Sequence, residues 1–336
     1  MDGQDYQEPG SETQVEPDKP DYWAALPRED IGAELVERLT EYYQTLQETG
    51  LIALWRRTHA SFYGLSPNGG GHESSTILEF GDDGEKLAVR SNQLRSLVRY
   101  IHTSTTTDRP AVQPKASNTT SQAKAQIPAA KRILDYYHDR RHFEKVLRSV
   151  ALRALLYAKA YLWQSWDPTQ GPPSPKGPPK GDLIYRACSP LDMASDLDRE
   201  SQDHDWFIAR KLRSKFDLAA IFAPEGHEDA EDLRERIIGT GRDPLDGRLG
   251  SKVNLGMTRH FLERSDMIYE HHFMHRATPA LPGGRYVIMI GEGLVLFDGP
   301  LPYDELPVSE MIPEEFLEAG AIGYASAPPA PSGNSI

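Results

Sequence analysis

Between Asn92 and Asp196 the chain carries an ordered series of segments that few folds accommodate. SNQLRSLVRYIHTSTTTDRP opens with a capping residue, Ser91 or Asn92, continues at helical spacing and is closed by Arg109-Pro110. The stretch 103–122 is rich in Thr, Ser, Asn and Gln and predicts irregular backbone. Two helical segments follow, Ala123–Asp139 and about His142–Tyr161. The second carries a stripe of Val146, Leu147, Val150, Ala154, Leu155 and Ala158 and is expected at the centre of the core. GPPSPKGPPKG then separates strands expected at Tyr161–Trp166 and Leu183–Ala187. Its prolines lack backbone donors and its glycines are flexible, so it reads as an exposed hairpin tip. Helices leading into antiparallel strands imply an α+β fold.

The flanks fit the same class. Asp30 caps a helix over 31–49 in which Ile31, Leu35, Leu39, Tyr42 or Tyr43, and Leu46 recur at helical spacing before Gly50. LIALWRRTHASFYG reads as a second helix and SPNGGGHES as a loop. STILEF and EKLAVRS flank Gly81-Asp82-Asp83-Gly84, a hairpin signal. WFIARKLR, MIYEHHFMHRA and RYVIMIGEGLVLFDG alternate as strands, with Gly291-Glu292-Gly293 as a turn. SKFDLAAIF, capped by Ser214, and DAEDLRERII read as short helices. Residues 1–28 predict a disordered acidic tail whose Tyr22, Trp23 and Leu26 dock on the body. The folded domain is expected over 29–325 and a flexible Pro/Ala tail over 326–336.

Composition narrows the function classes. A formal net charge of −13 repels nucleic acid except where basic residues cluster. The single cysteine, Cys188, excludes an internal disulfide framework. No apolar run approaches the ~20 residues of a membrane-spanning helix.

The candidate chemistry is thin. His138 and His142 have a zinc-compatible spacing, but two arginines intervene and no glutamate follows His138 to act as a base. In EHHFMHR, strand alternation puts His271 and His275 on one face and His272 on the other, a weak metal set. The glycines at 69–71 lack the Lys-Ser/Thr of a phosphate loop, and GEGLV at 291–295 sits between strands. Cys188 has no obvious histidine partner. The acidic run SDLDRESQDHD lacks the glycine and terminal glutamate of the calcium loop. No catalytic residue, cofactor or metal is expected. Basic residues do cluster: between Lys131 and Lys159 there are eight Lys/Arg against three acids. Arg132, Arg140, Arg141, Lys145 and Arg148 are the candidates for nonspecific DNA contact or for contact between subunits.

The order of these segments resembles the portal proteins of tailed bacteriophages. The motifs are LIALWRRTHASFYG, the Asn92–Pro110 helix, the Ala-rich helical stretch into AYL, and GDLIYRACSPLDMASDLD. DWFIARKLRSKFDLAAIFAP and PLPYDELPVSEMIPEEFLEAGAIGYASA continue the pattern, so the resemblance covers roughly residues 50–327. It implies a wing-like α+β domain and a structural, non-enzymatic role at the head vertex through which DNA is packaged and ejected. The implied partners are other portal subunits in a ring, terminase, and head or scaffold proteins, with no membrane. The implied location is the virion, and the host cytoplasm during assembly. In that family the Gly-Tyr-Ser segment leads into long channel-lining helices; here Gly323-Tyr324-Ala325-Ser326 leads into a Pro/Ala tail. Stem, clip and crown are therefore expected to be missing, and a monomer or small oligomer is expected. Two alternatives stand beside this reading: a metal-dependent nuclease using Asp192, Asp196 and Asp198, and a phage adaptor that works through protein contacts.

Overall fold

The computed structural model describes residues 22–64, 76–79, 86–89, 92–107, 113–116, 120–167, 170–171, 181–197, 199, 203–224, 230–241 and 266–313. The fold is α+β. In chain order, a 3-10 turn (Trp23–Ala25) precedes α1 (Arg28–Glu48), α2 (Leu51–Tyr63), β1 (Thr76–Glu79), β2 (Lys86–Val89) and α3 (Gln93–Thr106). Then come α4 (Ser121–Arg140), α5 (Phe143–Tyr157), β3 (Ala160–Asp167), β4 (Asp182–Cys188), β5 (Met193–Ser195) and β6 (Trp206–Ser214). The remainder is α6 (Lys215–Phe222), α7 (Ala230–Gly239), β7 (Met267–His275), β8 (Arg285–Ile290), β9 (Leu294–Gly299) and β10 (Val308–Met311).

The elements stack in layers. Strands β5-β6-β7-β8-β9 form an antiparallel sheet in that order. Side chains alternate across a strand, so Trp206, Ile208, Phe273, Val287 and Met289 share one face. That face lies under α1 and α2, whose Ile31, Leu35, Leu39, Trp55 and Phe62 complete the main core. On the opposite face, Phe207, Ala209 and Met274 meet Tyr161, Trp163 and Cys188 of a second sheet, ordered β10-β3-β4. Farther along the same face, Ile268, Ile288 and Ile290 meet Leu218 and Ile237 of α6 and α7. The outer side of the small sheet is covered by α5, with Val150 and Ala154 against Ala160 and Leu162. Where α1 crosses the β8–β9 turn, a Cβ on Gly32 would lie 2.1 Å from the Gly293 carbonyl oxygen, and Gly293 itself has φ +105°. Both positions therefore require glycine.

Several boundaries differ from the sequence expectation. Within the stretch 1–28 expected as a tail, Tyr22, Trp23 and Leu26 dock on the body as expected, and residues 1–21 lie outside the described residues. The Tyr22 hydroxyl is 2.7 Å from His275 Nε2, and Trp23 packs edge-on against Trp206. The helix α3 continues through Thr106 into the stretch expected to be irregular; Thr105 and Thr106 satisfy their hydroxyls on the carbonyls of Ile101 and His102. The helix α5 ends at Tyr157, because Ala158 adopts φ +60° and turns the chain into β3. Its buried positions are Val150, Ala154, Leu156 and Tyr157, whereas Leu147 and Leu155 are half-buried. The narrow sheet beneath α5 covers only part of its stripe, and the core is centred on α1 instead. The β3–β4 hairpin has the expected pairing, from Tyr161↔Cys188 to Asp167↔Asp182. Residues 172–180 of its tip, the SPNGGGHES loop, Arg109-Pro110 and both chain ends lie outside the described residues. β5 and β10 are strands that the sequence pattern did not announce.

Candidate functional site

The five basic candidates are placed in different surroundings. Arg132 is exposed on α4. The side chain of Arg140 lies outside the described residues. Arg141 follows α4 and is turned inward, with Nε 2.9 Å from Asp182 Oδ2 and Nη2 on the same oxygen. Burial would raise the Asp182 carboxyl, but Arg141 and the Leu183 N–H overcome it and hold the group below its ordinary value. Arg148 pairs with Glu144 one turn earlier on α5. Lys145 is exposed on the first turn of α5 and opens onto a cleft.

That cleft has a volume of about 440 Å³ and lies between α5, the end of β4 and the edge of β6. Its origin is local. β5 is three residues long and pairs only with residues 207–209, so β6 has an open edge from Arg210 onward. The Arg210 N–H donates to the Asp192 carbonyl at 2.9 Å. Antiparallel alternation then turns the Leu212 N–H toward the same open edge. Across the gap, α5 is preceded by His142, whose φ of 52° is left-handed.

The cleft is electropositive. Lys145, Ser149 and Arg153 come from α5, Arg186 from β4, and Arg210 and Lys211 from β6. Arg210 is neutralised by Asp192, with Nε 3.2 Å from Oδ1. Lys145, Arg153, Arg186 and Lys211 form no ion pair among the described residues, and Arg153 Nη1 is buried without a hydrogen-bond partner there. Burial draws the Lys211 ammonium down to about 8, and Arg186 and Arg213 add to the effect against Glu270 and Asp167. Burial also lowers Arg186, whose guanidinium lies 5.8 Å from the Trp163 ring centroid. Positive charge in excess of nearby carboxylates destabilises each neighbour's charged form. The sequence reading missed Arg186, Arg210 and Lys211. The available signal was the run Arg210-Lys211-Leu212-Arg213, where an apolar strand turns cationic on both faces.

Other candidates are accounted for by packing. Burial pushes the Cys188 thiol up to about 12, which removes it as a nucleophile near neutral pH. Within β7, His275 Nδ1 lies 2.7 Å from the Arg276 carbonyl; a carbonyl only accepts, so Nδ1 carries the hydrogen and Nε2 accepts from Tyr22. His272 lies between the Tyr286 hydroxyl, 2.7 Å from Nδ1, and Glu270, 3.5 Å from Nε2. Burial would raise the Glu270 carboxyl, yet His272, Arg213 and Lys211 hold it well below the usual carboxylate range. This set is enclosed beneath Trp163, whose ring centroid is 4.9 Å from that of His272. Asp192 is occupied by Arg210 and by the Ser189 hydroxyl at 2.7 Å, Asp196 is 3.6 Å from Arg199, and Asp198 lies outside the described residues. Among the described residues no group of three His, Cys, Asp or Glu is gathered as metal ligands, and no helix is long and apolar enough to cross a membrane. No family model and no curated protein matches this chain.

Proposed function

We propose that the chain is a structural subunit of the portal-wing type, belonging to the vertex of a phage head through which DNA is packaged and ejected. Its partners are other portal subunits, terminase, and head or scaffold proteins, in the virion and in the host cytoplasm during assembly. The observation that carries this reading is the order of elements. The Asn92-capped α3, the α4–α5 pair, the β3–β4 hairpin, β5, and then β6 with α6 follow one another at the positions where the portal-like segments lie. A second support is exposed apolar surface on the outer helices: α3 buries no residue and leaves Leu97 57% and Tyr100 73% exposed, and Ile133 of α4 is 57% exposed. Apolar groups grouped on an outer layer mark a surface that meets another protein.

The test is light scattering coupled to size exclusion, at low and high ionic strength, with plasmid DNA and Mg²⁺ as a separate assay. Small oligomers are expected to gain population at high salt, because a net charge of −13 repels copies and salt screens that repulsion. Leu97→Asp combined with Tyr100→Asp should return the protein to monomer. A wild type that cuts the plasmid in a Mg²⁺-dependent manner overturns the reading, and a stable closed ring at both salts overturns the expected loss of the stem.

A further inference from the structure

The geometry points to a binding site for a phosphoryl group in the cleft between α5, β4 and the open edge of β6, held by Lys145, Arg153, Arg186 and Lys211. We infer this independently of the portal-type reading; it stands or falls on the cleft alone.

Four cations from three separate elements converge on one concavity, and the carboxylate in its lining, Asp192, is already paired with Arg210. Glu270, which faces Lys211, is shared with Arg213 and His272, so positive charge around the cleft exceeds the carboxylates that answer it, and the arrangement suits an anion from outside. A single carboxylate carries one negative charge. A phosphoryl group carries roughly −1.5 to −2 and three acceptor oxygens, which suits two guanidinium forks and two ammonium groups better. The buried Nη1 of Arg153 supplies a donor that lacks an acceptor among the described residues. Backbone geometry adds the Leu212 N–H on the open strand edge. A volume of about 440 Å³ falls within the size of small-ligand sites. The depressed Lys211 ammonium fits the same picture: a bound dianion would restore its proton.

The phosphoryl group has two sources, a free phosphorylated small molecule or a nucleic-acid backbone. The experiment uses the full chain and inorganic pyrophosphate, titrated by calorimetry at low salt near neutral pH. Saturable one-site binding is expected. Lys145→Gln and Lys211→Met should each weaken it at least tenfold, while Arg132→Gln, on the exposed face of α4, should leave it unchanged. Lys145 is exposed, so Lys145→Gln should keep the wild-type melting temperature; Lys211 faces Glu270, so Lys211→Met is read only as protein that still melts cooperatively. A short single-stranded oligonucleotide that displaces pyrophosphate assigns the backbone as the source; failure to displace assigns the free small molecule. Absence of saturable binding, or equal weakening by Arg132→Gln, overturns the site.

Discussion

Arg285 holds three acceptor groups at once. Its Nη1 donates to the carbonyls of Ala24 and Leu26, at 2.8 and 2.6 Å, while Nε and Nη2 grip Asp298 at 2.9 and 2.7 Å. One side chain therefore ties the segment before α1 to the far edge of the large sheet. Arg285→Met removes the guanidinium and leaves a largely buried carboxylate, which costs about 3–5 kcal/mol. Urea unfolding checks this, and a loss below about 1 kcal/mol would show that residues 22–26 are not anchored there. Glu270 gives a pH signature. Its carboxyl is depressed in the folded state, so its stabilising effect is complete above the unfolded value of 4.5 and fades as pH falls through the folded value. Wild-type stability should therefore drop as pH falls from 4.5 toward about 2, whereas Glu270→Gln should be less stable at neutral pH and flatter in acid. Parallel pH profiles for the two proteins would rule out this assignment.

At the scale of elements, what could be read in advance follows the breadth of the surface each element meets. α1 meets a wide sheet, and every position of its predicted stripe is buried. β7 is enclosed on both faces, and its alternation was legible even though it carries three histidines. α5 meets a narrow sheet, so a periodic stripe overstated its burial and gave no warning that Ala158 would end it. Leu147→Asp would be expected from the stripe to unfold the domain. In its half-buried setting the carboxylate reaches water, and the cost is about 1–2 kcal/mol. Val150→Asp, at a position 1% exposed, should abolish cooperative folding. Soluble protein with a sharp melt from Val150→Asp would place the α5–β3 contact outside the folding core. Of the candidate site, Lys145 and Arg153 belonged to a visible basic run. Arg186 and Lys211 join them through tertiary structure alone, since nothing in local spacing says that β5 stops short and opens the edge of β6.

At the scale of the whole molecule, charge is sorted rather than averaged. A chain with a net charge of −13 gathers six basic and histidine side chains and one carboxylate, Asp192, around one cleft, while Leu97, Tyr100 and Ile133 of α3 and α4 are exposed. The proposed contact surface and the proposed anion site thus lie on different layers of one stack. The stack also fixes an order of events. Tyr22 waits for His275, Arg28 bonds the Leu296 carbonyl at 3.3 Å, and β3 receives its second neighbour only from Val308–Met311. A ribosome delivers α1 well before the strands β6 to β8 that support it. The nascent chain therefore carries the apolar face of α1 unmated until β7 and β8 emerge, and a bare edge on β3 until Val308–Met311 arrives, the two features that draw unfinished proteins into aggregates. The interval between α1 and the strands that bury it is the stretch of synthesis in which this molecule is open to misassociation.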